Sequence, residues 1–109
     1  MAAAALGEFE QIVLIAVLRL GDDAYGATIR REIESRTGRR LSISGVYTTL
    51  ERMEEKGYVH SWIGEPTSER GGRRRKHFAL RPPGKRALRS AYTAYTEMAA
   101  GLERRLKTL

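Results

Sequence analysis

Positive charge is concentrated in one segment of this 109-residue chain, the stretch from Arg70 to Arg89. The segment holds nine of the 20 lysines and arginines and none of the 13 aspartates and glutamates. The rest of the chain is slightly acidic, so the net charge of +7 is a local feature. Crowded cations repel one another, whereas beside a polyanion they displace its counterions and bind. The pattern predicts a nucleic-acid-binding surface, and the alternative is a solvated run of charge.

A second set of chemically useful residues lies at helical spacing between residues 43 and 56. One face of this predicted helix is apolar and carries Ile43, Val46, Tyr47, Leu50 and Met53. The other face carries Ser44, Gly45, Thr48, Thr49 and Arg52. Small polar side chains near a helix N-terminus suit entry into the major groove, and arginine binds guanine or phosphate. The alternative is an ordinary solvent-facing surface of an amphipathic helix.

These two sets together define the predicted contacts with double-stranded DNA. The predicted contact residues are Ser44, Gly45, Thr48, Thr49, Arg52, Arg73, Arg74, Arg75 and Lys76. Tyr47 is added as a contact through its hydroxyl, although its ring is assigned to the core side of the helix.

The sequence gives little support for an enzyme active site, a metal site or a cofactor site. The two histidines, His60 and His77, are too few for a three-ligand catalytic metal site, and there is no cysteine. No Ser-His-Asp or Cys-His set is apparent, and Gly71-Gly72 lacks the strand-to-helix context of a phosphate-binding loop. From these residues we expect a protein that is not an enzyme and needs no cofactor or metal. The longest apolar run, from Ile12 to Leu18, is too short to span a bilayer, so we also expect a cytoplasmic protein.

Hydrophobic periodicity predicts the elements that position these residues. Helices are predicted over residues 6–20, 24–37, 43–56 and 82–109, strands over 58–63 and 75–80, and a very short strand over 39–41. We expect Asp22 or Asp23 to cap the second helix, Gly38 to end it, and Ser42 to cap the third. The order predicts a mostly α fold with a small β-hairpin wing. Residues 1–81 would form a winged helix-turn-helix and residues 82–109 a dimerisation helix, packed as a single compact unit.

The last helix carries a seven-residue repeat that predicts packing against another helix. Its predicted homodimer contacts are Leu88, Tyr92, Tyr95, Ala99, Leu102 and Leu106. The first helix is apolar on nearly every side in its second half, which indicates burial on both sides. A small planar aromatic effector could occupy a cavity beside Tyr92, Tyr95 and Met98, but the favoured interpretation is that these side chains fill the dimer core.

Several motifs together resemble the PadR family of bacterial regulators, over about residues 6–92. They are Tyr25-Gly26, Ile29, Ile33-Glu34, the segment 42–50 with Val46-Tyr47, Arg52-Met53-Glu54, Gly57-Tyr58-Val59, Trp62, the segment 72–80, Gly84 and Leu88. The resemblance implies a winged helix homodimer joined through the first and last helices and repression from a palindromic operator. It also implies control of detoxification, efflux or permease genes, with release by phenolic acids or drugs in some members.

The chain departs from the family pattern at three places. Ser42-Ile43-Ser44 replaces the frequent Ser-Pro-Gly at the start of the recognition helix, which bears on base preference. A single C-terminal helix replaces the large helical domain of many members. The only tryptophan, Trp62, lies in the hairpin rather than in the last helix, which argues against drug sensing. The alternative function is a winged-helix adaptor that binds proteins.

Overall fold

The computed structural model describes residues 5–65 and 74–109 and shows a mostly helical chain with one hairpin, as predicted. The helices are α1 (Glu8–Leu20), α2 (Gly26–Thr37), α3 (Ile43–Glu55), α4 (Pro82–Ala99) and α5 (Glu103–Lys107). The strands are β1 (Val59–Ile63) and β2 (Lys76–Leu80), and a 3₁₀ turn over Gly21–Asp23 follows α1. Each predicted helix and hairpin strand is present, with ends that differ by one or two residues except in the last helix.

The core lies where α1, α2 and α3 pack against the inner face of the hairpin. Leu14, Ile29, Leu50 and Phe78 contribute one fully buried side chain from each of these elements. Burying such a side chain stabilises the fold by about 1.5–3 kcal/mol. These contacts hold α3 and the hairpin in one fixed arrangement.

The hairpin is anchored to the segment that precedes α2. Its strands pair antiparallel from Val59 opposite Leu80 to Ile63 opposite Lys76. On the other side of β2, the Phe78 N–H donates to the Ala24 carbonyl at 2.9 Å, beside an isolated bridge. The wing is therefore tied to the helical body along its second strand.

The helix ends confirm two predictions and correct two others. Gly38 ends α2 with a left-handed φ of +73°, and the Ser42 hydroxyl accepts from the Gly45 N–H at 3.0 Å. No strand forms over residues 39–41, because the Leu41 N–H donates to the Glu34 carboxylate instead. Neither aspartate caps α2, because the N-cap residue is Tyr25, whose N–H donates to the Thr28 hydroxyl at 3.0 Å.

The prediction of one last helix reaching residue 109 was wrong. Helix α4 ends at Ala99, and Gly101 turns the chain with a φ of +84°. Glycine adopts this conformation without steric cost, and its N–H donates to the Glu103 carboxylate at 3.0 Å. The leucines at 102 and 106 therefore do not continue the stripe of α4.

The described residues contain no candidate for a membrane-spanning helix. None of their helices combines the length and the apolar character that crossing a bilayer requires.

Candidate nucleic-acid interface

The N-terminal half of α3 presents a polar, exposed surface. Ser44, Gly45 and Thr48 are all exposed, and the cap at Ser42 leaves them in the first turns of the helix. The Thr48 hydroxyl donates to the Ser44 carbonyl at 2.9 Å, so its oxygen remains able to accept a hydrogen bond. The exposure of these three residues was predicted correctly, and their contact with DNA stays a prediction.

Thr49 lies on the opposite side of α3, and its assignment to the exposed face was wrong. Its exposed fraction is 4%, which makes it a core residue. The helical repeat explains this, because Thr49 follows the buried Val46 by three residues and precedes the buried Met53 by four. A side chain enclosed in this way does not reach a base pair, so Thr49 is removed from the contact set.

Tyr47 packs over the first residue of α2. Its side chain is half-buried against the core, in agreement with the core assignment made from the sequence. A Cβ atom added to Gly26 would lie 2.5 Å from the Tyr47 hydroxyl oxygen. A side chain at Gly26 would therefore overlap the Tyr47 ring unless that ring moved, which favours glycine at this position of the Tyr25-Gly26 motif.

Arg52 is engaged by a carboxylate that sequence reasoning did not single out. Its Nε donates to Glu10 Oε2 of α1 at 3.1 Å, and Lys56 Nζ lies 3.7 Å from the same oxygen. The other carboxylate oxygen accepts from the Gly7 N–H at 2.8 Å. This backbone hydrogen bond lowers the pKa of Glu10, Arg52 and Lys56 lower it further, and burial opposes them.

The described cations of the wing lie where β2 begins, at the loop end of the hairpin, and their surroundings differ. Arg74 is exposed, whereas the guanidinium of the half-buried Arg75 lies 5.3 Å from the centre of the Tyr25 ring. Lys76 Nζ lies 3.9 Å from Glu54 Oε1 of α3. The predicted contact residue Arg73 lies outside the described residues, as does Arg70.

Three rings of the hairpin and the buried ring of Tyr25 lie in a row of neighbouring pairs. The ring centres of His60 and Trp62 are 5.4 Å apart, those of Trp62 and His77 5.5 Å, and those of His77 and Tyr25 5.3 Å. His77 Nδ1 also lies 2.8 Å from the Asp22 carbonyl oxygen. In residues 5–65 and 74–109 no three metal-ligating side chains group together, and the ring contacts pack the two histidines beside Trp62 and Tyr25.

An apolar face extends over α1 and α4 and remains open in the single chain. Ile15 and Leu18 are 44% and 60% exposed, so the predicted burial of α1 on every side is not achieved within one chain. They line a groove whose other apolar residues are Leu80, Leu88 and Tyr92. Of the predicted dimer contacts, Leu88 and Ala99 are half-buried and Tyr92, Tyr95, Leu102 and Leu106 are exposed.

Residues 14–90 match the model of the PadR-like transcriptional regulator family. The chain belongs to this family. The matched range contains α2, α3 and both strands of the wing. The family consists of transcriptional regulators rather than enzymes.

Solved structures of PadR-like proteins share the whole architecture. A PadR family transcription regulator from Clostridium difficile is 24% identical, with 90% of this chain and 98% of that chain covered and a TM-score of 0.70. A PadR-like transcriptional regulator from Bacillus cereus is 15% identical, with 90% of each chain covered and a TM-score of 0.71. A regulator from Eggerthella lenta is 21% identical over 94% of this chain and 88% of that chain, with a TM-score of 0.64. No curated protein sequence matches this chain.

Proposed function

We propose that this PadR-like protein is a homodimeric repressor that acts in the cytoplasm on a palindromic operator in double-stranded DNA. Each α3 would enter the major groove of one half-site through Ser44, Gly45 and Thr48, and Arg74, Arg75 and Lys76 of each wing would neutralise flanking phosphates. The observation that carries the proposal is that one chain combines this polar and cationic surface with a large open apolar face.

The apolar face supports the dimer. Ile15, Leu18 and Tyr92 are 44%, 60% and 66% exposed, and Tyr95 and Met98 continue along α4 at 67% and 82%. A contiguous apolar surface of this kind costs free energy in water and marks an interaction site. A second copy supplies the same surface by two-fold symmetry, which also matches the symmetry of a palindrome.

In this proposal, repression follows from occupancy of the operator alone. It does not require an effector molecule bound in the open groove on α1 and α4. In the proposed dimer the partner chain fills this groove, so a planar aromatic ligand would find no room there. Thermal-shift titration with planar aromatic compounds should therefore leave the melting temperature unchanged. A reproducible, saturable rise would instead assign the groove to a ligand.

Selection of bound duplexes from a random pool tests the proposal directly. We expect recovery of an inverted repeat whose half-sites are centred about 34–36 Å apart or a multiple of that. Light scattering should report a dimer, and a promoter that carries the recovered repeat should lose activity when the protein is present. Failure to bind either the selected or generic duplex DNA at physiological salt would favour the adaptor function instead.

A further inference from the structure

We propose that Glu10 competes with DNA phosphates for Arg52 and Lys56, and that this competition limits the affinity of the protein for DNA of any sequence. The inference rests on the proposed function, because it assigns a regulatory role to a carboxylate beside the proposed recognition helix. It concerns two cations at the C-terminal end of α3, one of which the sequence already predicted as a DNA contact.

Both cations continue the exposed stripe of α3 that begins at Ser44. Ser44, Thr48, Arg52 and Lys56 are spaced four residues apart, so they form one slowly turning stripe on the helix. Arg52 and Lys56 lie roughly 6 and 12 Å beyond Thr48 along the axis. The major groove is about 12 Å wide, so a helix that presents Thr48 to bases brings the far end of the stripe toward the phosphate backbone.

The carboxylate of Glu10 already pairs with both of these cations. Arg52 Nε donates to Glu10 Oε2 at 3.1 Å, and Lys56 Nζ lies 3.7 Å from the same oxygen. The side chains of these two cations are 47% and 40% exposed. Both cations are therefore accessible from solvent and paired at once. A phosphate that approaches them must either share them with Glu10 or displace it.

Glu10 is held in place by burial and by a backbone hydrogen bond. Its side chain is only 12% exposed, and its second oxygen accepts from the Gly7 N–H at 2.8 Å at the start of α1. A carboxylate restrained in this way loses little further conformational entropy when it pairs, so it competes better than a mobile surface residue. Glu8, two residues earlier, differs in this respect, because its side chain is 75% exposed and its partner Arg39 lies outside α3.

The test uses the full chain with Glu10→Gln, measured by fluorescence anisotropy on the selected operator and on an unrelated duplex. The glutamine carbonyl oxygen still accepts from the Gly7 N–H, so α1 keeps its cap while the negative charge is removed. We expect affinity for both duplexes to rise about 3- to 10-fold near physiological salt. The slope of log affinity against log salt should become steeper by about 0.9 for each cation released, up to about 1.8.

Two further variants separate competition from other effects. Glu8→Gln removes the same charge and an ion pair from the same helix, and we expect a markedly smaller change in affinity and an unchanged salt slope. In a background of Arg52→Gln and Lys56→Gln, the effect of Glu10→Gln should disappear, since no cation remains to be released. Circular dichroism and thermal melting verify that each variant is folded.

The outcomes are distinguishable from failure of the proposed function. If the unmodified protein binds neither duplex, the DNA-binding proposal itself fails, whatever the variants do. If it binds DNA but Glu10→Gln leaves the salt slope unchanged, the competition is overturned. An equal gain from Glu8→Gln would also overturn it, because the effect would then be one of net charge alone.

Discussion

Leu18 offers the sharpest test of the proposed dimer, because it is an apolar side chain 60% exposed in the groove on α1 and α4. Full burial of a leucine side chain is worth about 1.5–3 kcal/mol, so covering the exposed fraction of Leu18 contributes roughly 1–2 kcal/mol per copy. A two-fold dimer contains two copies, and Leu18→Ser should therefore weaken association by about 2–4 kcal/mol. This corresponds to a dimer dissociation constant roughly 30- to 700-fold larger.

Sedimentation velocity over a dilution series measures this change. Leu109→Ser is the matched control, because Leu109 is 97% exposed at the chain end and does not line the groove, so this variant should leave the dissociation constant unchanged. Binding to the full inverted repeat should weaken together with dimerisation, whereas binding to an isolated half-site should not. Equal dissociation constants for Leu18→Ser and the unmodified chain would refute the placement of the interface.

The remaining predictions concern the wing, the recognition helix and Glu10. Combining Arg74→Ala with Arg75→Ala should weaken binding to every duplex and flatten the salt slope by about 1.8, and a gel-shift titration that retains the original slope would remove these residues from the phosphate contacts. Thr48→Ala should weaken DNA binding by about 1–3 kcal/mol at one base position and relax the base preference there. Thr49 is buried, so Thr49→Val should leave the selected sequence unchanged. The reverse pattern in repeated selections would contradict our orientation of α3. Because the folded-state pKa of Glu10 is lowered, its contribution to stability is present above the ordinary glutamate pKa of 4.5 and is lost as the pH falls through the lowered value. Urea unfolding below about pH 4.5 should therefore show a shallower pH dependence for Glu10→Gln, and identical curves would contradict a lowered pKa of Glu10 in the folded chain.

Local signals in the sequence predicted most of the helix and strand positions. Ser42 and Gly38 mark the start of α3 and the end of α2, because a cap or a left-handed turn depends on a few adjacent residues. One local signal was overlooked. Gly101 interrupts the seven-residue repeat, and its freedom to adopt a positive φ explains why the last helix is divided.

The candidate site was predicted less completely, since contacts between distant residues carry no local signature. Glu10 and Arg52 are 42 positions apart, and only the packing of α1 against α3 brings them within hydrogen-bond distance. The burial of Thr49 depends on which side of α3 faces the core, and the polar threonines at 48 and 49 look alike in the sequence. The stacking of Arg75 on Tyr25 likewise depends on how the hairpin is anchored.

The amino-acid sequence by itself determined the order of elements, the cationic wing and the polar start of α3, because periodicity, capping and local charge are properties of neighbouring residues. Only the tertiary structure decided which cations are engaged by carboxylates, which threonine is buried and which apolar side chains stay exposed. Those outcomes depend on distances between separate elements, and these distances are set by the shared core around Leu14, Leu50 and Phe78.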